Sequence, residues 1–426
     1  MVDRSRIWEY ILENRKLPNR KRVSHMNCKF DRIVDRRHTN ALNTDGFRGY
    51  IFQDENIQLP YRDEDYIRMW VADMEFETPE MIRRAIQNRL EQKILGYSMV
   101  FDPAYYHAFA AWTDRLYGWH CGKEELETSL GVVPALYDLV EMLTQPDESV
   151  LILTPSYAYF KHAADRHGRK LVCSDLIRTE DGFRMNLEDL RRKAADPKTT
   201  LCIFCNPHNP TGRVWTEGEL RAFGEIMEEN GLWVISDEIH CDLLRAGKIH
   251  TPLAKVFPDN RRIVTCMAPS KTFNMAGMMM SNIIIPDEAL RKTWKKQDIG
   301  LRNPLSIAAA QAAYECGYDW MMELRAYLDE NFRFMDEYLQ KNLPRAQYQI
   351  PEATYLAWVD IGAYFEDISS ISLPLFFAEQ AGVLLEGGNM FVQNSDACIR
   401  LNLACPRSML QEGLVRICRA LNERQR

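Results

Sequence analysis

Four short apolar runs of strand length follow one another through the middle of the chain, and helix-like segments separate most of them. Strands that alternate with helices pack as a mostly parallel sheet with helices on both faces. The sequence therefore predicts an α/β fold built on such a sheet. The apolar runs cover residues 150–153, 201–205, 232–235 and 263–267, and the helix-like segments include residues 187–194 and 217–229.

The pattern changes after Leu305, where long helix candidates replace the alternation. They cover residues 306–314 and 319–339, and strand candidates at 355–359 and 398–403 precede a closing helix. We interpret this part as a second, smaller α+β domain. The predicted divisions are a basic N-terminal arm over residues 1–28, the N-terminal part of the small domain and a linker over 29–77, a large domain over 78–309, and a C-terminal small domain over 310–426.

The composition argues against several classes of partner. A net charge of -7 gives no reason to expect nucleic acid or an anionic membrane. The longest uncharged stretch, residues 272–286, is too short to cross a bilayer. No secretion signal is visible over residues 1–28. Eleven cysteines without a regular spacing fit a reducing compartment, so we expect a cytoplasmic protein.

The cysteines and histidines do not suggest a metal site. Cys202 and Cys205 form a C-x-x-C motif, but both lie in one strand-like run, where residues three apart point to opposite faces. Two core cysteines are the better interpretation. The nine histidines include no pair at ligand spacing, so we expect no metal.

A polar or aromatic side chain follows each of the four apolar runs, namely Tyr157, Asn209, Asp237 and Lys271. In open α/β sheets, ligands bind beyond the carboxyl ends of the strands, so these side chains are expected at one edge of the sheet. Each has an ordinary alternative. Asp237 could cap a helix, Asn209 could serve a turn, and Tyr157 could belong to the core.

Lys271 lies among uncharged residues, in the motif S-K-T-F-N. Loss of hydration favours the neutral amine, which is the form that makes an imine with a carbonyl.

A second candidate element is residues 131–136, where Pro134 suits the start of a helix. The backbone N–H groups that follow, those of Ala135 and Leu136, are then placed to hold an anion.

These parts match the needs of pyridoxal 5'-phosphate (PLP). Its aldehyde needs an amine, its phosphate a helix start, its pyridine nitrogen a carboxylate, its phenolic oxygen a donor and its ring a flat neighbour. The chain has no strand-linked G-x-G-x-x-G and no G-K-[ST] loop, which argues against nucleotides. The residues that would meet these needs, in the same order, are Lys271, the helix start at Pro134, Asp237, Asn209 and Tyr157.

The combination of N-P-H-N-P-T-G, D-E-I-H and S-K-T-F-N resembles fold-type-I PLP enzymes, and more narrowly the MalY/PatB-type cystathionine β-lyases. The resemblance runs from about residue 30 to the end of the chain. It implies the fold-type-I architecture, with a large domain and a smaller one. The matching stretches are residues 70–76, 95–98, 131–136, 206–215, 236–240, 270–274, 354–359 and 399–407.

The resemblance also implies a role for each matching residue. Lys271 would form the imine with PLP and later act as the base. Tyr97 would contact the phosphate in the neighbouring subunit, which implies a homodimer with shared active sites. The substrate would be held by Arg400 at its α-carboxylate, together with Asn209 and Ala72. The other cofactor contacts would come from Ala135, Leu136, Tyr157, Asn209, Asp237, His240 and Ser270.

Three features depart from the family pattern. Met279 stands where many related aminotransferases carry an arginine for the phosphate, so Ser270 and Tyr97 would contribute more. His240 stands where many of them have a tyrosine. Residues 386–397, at the expected rim of the active site, contain less glycine than is usual.

The function implied is a PLP-dependent carbon–sulfur β-lyase. Cystathionine or a cysteine-type amino acid would give a thiol or sulfide, pyruvate and ammonia. A class I/II aminotransferase is the first alternative, since it needs the same groups around the cofactor, and the motifs do not separate the two. A regulatory member of the family that binds a protein partner through the arm at residues 1–28 is the second.

Overall fold

The computed structural model describes residues 29–424, so the predicted basic arm lies outside the described residues. A seven-stranded sheet forms its centre. The strands are β1 (Leu126–Ser129), β2 (Ser149–Thr154), β3 (Lys170–Asp175), β4 (Thr199–Cys205), β5 (Trp233–Asp237), β6 (Ile263–Met267) and β7 (Ser281–Ile284). Their order in the sheet is β1-β7-β6-β5-β4-β2-β3. β7 runs antiparallel to both neighbours, and the strands from β6 to β3 are parallel. The predicted mostly parallel α/β sheet is confirmed.

Helices cover both faces of this sheet, because successive strand residues point to opposite sides. The helices are α1 (Glu80–Leu90), α2 (Pro103–Tyr117), α3 (Val132–Leu143), α4 (Ala158–Arg166), α5 (Leu187–Ala194), α6 (Glu217–Glu229), α7 (Glu288–Gln297), α8 (Pro304–Cys316), α9 (Tyr318–Asn342), α10 (Leu373–Ala381) and α11 (Arg407–Glu423), with single turns at Leu42–Asp45 and Leu253–Val256. Ile203 packs in one apolar cluster with residues of α3 and α4, whereas Phe204 packs in another with residues of α5 and α6. Cys205 belongs to the first cluster and Cys202 to the second, so both are core residues, on opposite faces of the sheet.

A second, three-stranded antiparallel sheet holds Arg400. Its order is β8-β10-β9, with β8 at Leu356–Asp360, β9 at Glu386–Gly387 and β10 at Cys398–Asn402. Arg400 faces Trp358 across one pair of strands and Glu386 across the other.

The division into domains stays a prediction, and its boundary at residue 310 falls inside α8. Three short strand pairs lie outside these two sheets: Ile67–Arg68 with Val383–Leu384, Ser156–Tyr157 with Phe391–Val392, and Ile177–Thr179 with Gly182–Arg184.

The helix α3 begins earlier than the sequence predicts. Its first residue is Val132, so Pro134 occupies the third position rather than the first. A proline is accommodated there because the first-turn N–H groups of a helix have no intrahelical partner. The expectation that the helix starts at Pro134 is therefore wrong by two residues. Among residues 29–424, no helix is long and apolar enough to cross a membrane.

Candidate active site

A cavity of about 390 Å³ lies at the carboxyl ends of β4, β5 and β6. Strand register brings its polar side chains together, since Asp237 at the end of β5 is level with Cys205 of β4 and Cys266 of β6. Of the predicted site residues, three do not line it: Ala135, Leu136 and Tyr97. Those that do line it are Ala72, Tyr157, Asn209, Asp237, His240, Ser270, Lys271 and Arg400.

Lys271 follows β6 and lies in the wall of this cavity. Its Nζ donates a hydrogen bond to the carbonyl oxygen of Ala72 at 2.6 Å, and the hydroxyl of Tyr355 donates to the same oxygen at 2.7 Å. Burial lowers the pKa of Lys271 to about 8, and the charge of Arg400 acts in the same direction. A larger fraction of the amine is therefore neutral, and so nucleophilic, than in an exposed lysine.

The loop that carries Lys271 is fixed to the segment that carries Ala72. The side chain of Asn274 donates to the carbonyl oxygens of Met74 at 2.9 Å and Phe76 at 2.7 Å. It also accepts from the N–H of Met74 at 3.0 Å. Three hydrogen bonds from one amide thus join segments that are far apart in the sequence, and they hold the lysine in place.

Asp237 is a buried carboxylate with little to balance its charge. Its Oδ1 accepts one hydrogen bond, from the N–H of Ile239 at 3.2 Å. Burial raises the pKa of Asp237 to about 7. No helix begins at this residue within the described chain, so it does not act as a helix cap. A cationic group bound in the cavity would restore the ionised form of this carboxylate.

His240 is also buried in the wall of the cavity. Burial lowers the pKa of His240 to about 3, so its imidazole is neutral near pH 7. Its Nδ1 has no hydrogen-bond partner within residues 29–424. Buried polar atoms are nearly always paired in folded proteins. An unpaired ring nitrogen at this position fits a cavity that takes a polar ligand.

Arg400 is the largest charged side chain in the cavity wall and is only 1% exposed. Its Nη1 donates to Oδ1 of Asn209 at 3.1 Å, and its Nη2 forms an ion pair with Glu386. Its Nε has no partner among the described residues. A buried guanidinium with an unused N–H is suited to bind a carboxylate, since its planar donors match two oxygens.

The amides at the start of α3 differ from those predicted. The N–H of Ala135 donates to the carbonyl oxygen of Gly131 at 3.2 Å, and Leu136 is fully buried inside the helix. Neither is available to a ligand. Val132 and Val133 precede them in the first turn, where helix geometry leaves N–H groups free, and both line the cavity. The N–H groups that are free to meet a ligand therefore lie nearer to the N-terminus of the helix than predicted.

Tyr97 is 96% exposed and lies outside the cavity of its own chain. Ile94, Phe101 and Ile299 are exposed apolar side chains as well. The N–H of Arg302 donates to the carbonyl oxygen of Ser98, which brings the segment of Ile299 beside that of Tyr97. Leu130 and Met279 are partly exposed as well, and both line the cavity. Large exposed apolar surfaces usually mark sites of association.

Among the other lining residues, three carry hydroxyl or carboxyl groups that sequence reasoning did not identify: Tyr50, Tyr159 and Glu386. Tyr50 comes from the short helical segment Arg48–Phe52, in a region that had no clear pattern. Glu386 is the first residue of the glycine-poor segment 386–397, which was the only sequence signal at this position. Burial raises the pKa of Glu386, and the positive charge of Arg400 opposes that effect.

Comparison with known proteins identifies the family of the chain. The profile of the aminotransferase class I and II family matches residues 64–417. The chain belongs to this family. Cystathionine beta-lyase PatB of Bacillus subtilis is 38% identical over 363 residues, which cover 84% of this chain and 93% of the relative. Protein MalY of Escherichia coli is 28% identical over 398 residues, covering 92% and 98%.

Solved structures of this family share the whole fold. A PLP-bound C-S lyase from Staphylococcus hominis superposes with a TM-score of 0.89 at 47% identity, over 93% of this chain and 99% of that one. Cystalysin from Treponema denticola, which contains PLP, gives a TM-score of 0.86 at 29% identity, over 92% and 98%. The predicted fold-type-I architecture and the resemblance to MalY/PatB-type proteins are confirmed.

Proposed function

We propose that this protein is a PLP-dependent carbon–sulfur β-lyase. It acts on cystathionine or a cysteine-type amino acid and releases a thiol or sulfide, pyruvate and ammonia. A buried lysine of lowered pKa and a buried arginine in one cavity support a PLP enzyme that acts on an amino acid. Similarity to proteins named as lyases favours a β-lyase over an aminotransferase. Relatives that cover most of the chain carry the names cystathionine beta-lyase and C-S lyase.

The polar groups of the cavity fit PLP. Asp237 would pair with the pyridinium nitrogen, and Lys271 would hold the aldehyde carbon. Val132, Val133 and Ser270 would hold the phosphate. Asn209 and His240 would lie near the phenolic oxygen, and Tyr157 against the ring. When bound, PLP supplies an electron sink for the electron pair left at the α-carbon.

The residues of the chain would then carry out three tasks. Arg400 binds the α-carboxylate and so fixes the orientation of the amino acid. The Nζ of Lys271 removes the α-proton as a general base. The bond between Cβ and sulfur breaks, its electron pair leaves with the sulfur, and a proton converts the thiolate into a thiol. The aminoacrylate that remains is hydrolysed in water to pyruvate and ammonia.

The test of this function is turnover of cystathionine by the holoenzyme without any keto acid. We expect thiol and pyruvate to appear together in equal amounts. Addition of a keto acid should leave the rate unchanged. An aminotransferase would instead require the keto acid and would produce no thiol, which would contradict the proposal.

The compartment proposed is the cytoplasm. The ten cysteines of the described residues are all free, and most are buried. Free cysteines in this number fit a reducing environment. Release of reduced thiol or sulfide as product suits the same environment.

We propose a homodimer in which Tyr97 completes the partner's site. This follows from its exposure and from the exposed apolar side chains of Leu130 and Met279 beside the cavity.

Tyr97→Ala and Lys271→Ala should each be nearly inactive alone. After subunit exchange, the mixture should recover up to about a quarter of wild-type turnover, because half of the dimers are hybrid and each has one intact site. Absence of recovery, with exchange verified by tagged subunits, would contradict shared sites.

Arg400→Lys is expected to lower kcat/KM about 10- to 100-fold, mainly through KM, because a lysine keeps the charge but loses the fork of planar donors. Steady-state kinetics with cystathionine measures this. The control is Arg333→Lys, an exposed arginine paired with Glu330. It should leave both constants unchanged. A kcat/KM within twofold of wild type for Arg400→Lys would contradict the proposal that Arg400 binds the α-carboxylate.

A further inference from the structure

The ion pair between Arg36 and Asp73 has no part in the proposed reaction, although it lies close to Lys271. Nη2 of Arg36 donates to Oδ2 of Asp73 at 2.6 Å, and the two side chains are only 22% and 19% exposed. Neither residue lines the cavity. Because salt screens a partly buried pair less than an exposed one, its charges act on neighbouring groups. They can do so without contacting a ligand.

Asp73 is held next to the residue that Lys271 contacts. It directly follows Ala72, whose carbonyl oxygen accepts the hydrogen bond from Nζ of Lys271 at 2.6 Å. The side chain of Asn402 donates to the carbonyl oxygens of Val71 at 2.7 Å and of Asp73 at 2.5 Å. The backbone is therefore fixed to β10 on both sides of Ala72. The position of Asp73 relative to the lysine is fixed with it.

Arg36 binds this segment at three points. Besides its contact with Asp73, its Nη1 donates to the carbonyl oxygen of Met74 and to Oε1 of Glu75, each at 3.4 Å. The amide of Asn43 donates to Glu75 at 2.5 Å and to Asp73 at 3.3 Å. Asn43 supplies hydrogen bonds but no charge. Arg36 thus balances two carboxylates that follow Ala72 in the chain.

The charge of Asp73 acts on Lys271. Burial lowers the pKa of Lys271, and the negative charge of Asp73 opposes that effect. Arg400 lowers the pKa of Lys271 further, whereas Asp237 and Glu386 raise it. The last three residues line the cavity and would meet a ligand directly. Asp73 is the charged neighbour of Lys271 that a ligand would leave in place.

The charged groups around the ion pair come from the same segment and from a neighbouring strand. Burial raises the pKa of Glu75, and the positive charges of Arg36 and Arg68 lower it. The negative charge of Asp73 raises the pKa of Glu75. Without Arg36, both carboxylates would lose the cation that pairs with them.

We propose that Arg36 and Asp73 are positioning residues for Lys271 that act on it with opposite sign. Asp73 favours the protonated nitrogen of the lysine, and Arg36 limits that influence. A carboxylate stabilises a nearby cation, whereas a guanidinium destabilises it. This inference rests on the proposed role of Lys271 and extends it to residues outside the cavity. An ion pair that only held the chain together would not act with two signs.

The test is a pH titration of the holoenzyme, followed by the visible absorption of bound PLP, which reports the protonation of the Lys271 nitrogen. Arg36→Gln should raise the midpoint by about 0.5 to 1 pH unit, since Asp73 then acts unopposed. Asp73→Asn keeps the shape of the side chain but removes its charge, and it should lower the midpoint by about the same amount. Arg36→Lys keeps the charge and should stay within about 0.3 pH unit of wild type.

The matched control is the exposed ion pair between Arg191 of α5 and Glu229 of α6. Arg191→Gln and Glu229→Gln should leave the midpoint unchanged. Loosened packing around Ala72 would admit water and move the midpoint upward in both Arg36→Gln and Asp73→Asn. Shifts in the same direction, or no shift in either variant, would overturn the proposal. If one of the two variants does not fold, an unchanged or oppositely shifted midpoint in the other overturns it.

A second measurement needs neither cofactor nor turnover. Acetic anhydride modifies the neutral amine, so its reaction with Lys271 in the cofactor-free chain is followed against pH by mass spectrometry of peptides. The wild-type midpoint should lie near the pKa of about 8 that burial gives this lysine. It should be higher in Arg36→Gln and lower in Asp73→Asn. If borohydride attaches no cofactor to Lys271 in the wild-type protein, the proposed function fails, and this titration still decides the effect of the ion pair.

Discussion

Replacement of Lys271 by alanine is expected to lower turnover at least about 1,000-fold, because one side chain acts as both nucleophile and base. Borohydride treatment of this variant should leave no cofactor covalently attached. The wild-type protein treated in the same way should carry one cofactor per chain. Pyruvate release and mass spectrometry of the treated protein measure the two effects.

The control for Lys271→Ala is Lys292→Ala, which removes an exposed lysine paired with Glu288 on α7. Its turnover and its reducible bond should match those of wild type. A reducible bond that persists in Lys271→Ala, located on another lysine by peptide mapping, would show that the site is assigned to the wrong residue. Normal turnover of the variant would contradict the assignment more directly.

Replacement of Asp237 by asparagine is expected to lower turnover about 100- to 1,000-fold, which is typical of losing one preorganised charge at a reacting centre. Asparagine keeps the shape of the side chain but cannot keep the pyridine nitrogen protonated. The cofactor should remain bound, because Lys271 and the start of α3 are unchanged. Visible absorption measures bound cofactor, and pyruvate release measures turnover.

Asp259→Asn is the matched control for Asp237→Asn, since Asp259 is an exposed aspartate that does not line the cavity. It should leave turnover unchanged. Turnover by Asp237→Asn at the wild-type rate would contradict the proposed role of Asp237, which is to keep the pyridine nitrogen protonated. Loss of bound cofactor equal to the loss of turnover would assign Asp237 to cofactor retention instead.

The central strands of the sheet could be predicted because they are buried on both faces and read as continuous apolar runs. The bounds of β6, Ile263–Met267, agree with the prediction. The edge strands β1 and β3 could not be predicted in this way. β1 has one apolar residue in four, and β3 begins and ends with a charged side chain. Their pairing depends on the neighbouring strand more than on their own pattern.

The same contrast applies to the candidate site. Tyr157, Asn209, Asp237 and Lys271 follow strands that could be recognised, so their convergence could be argued from topology. Glu386 belongs to a strand of two residues and becomes a site residue only through its pairing with β10. No local pattern in the sequence marks such a contact.

The hydrogen bonds of Asn274 and the position of Arg400 in β10 have a consequence for synthesis of the protein. The surroundings of Lys271 are formed by residues before position 77 and by residues as far along the chain as position 400. Nearly the whole chain must therefore leave the ribosome before these surroundings can assemble. A product truncated before β10 would carry the lysine without its buried arginine. Incomplete chains of this protein would therefore not sequester vitamin B6 in a working site.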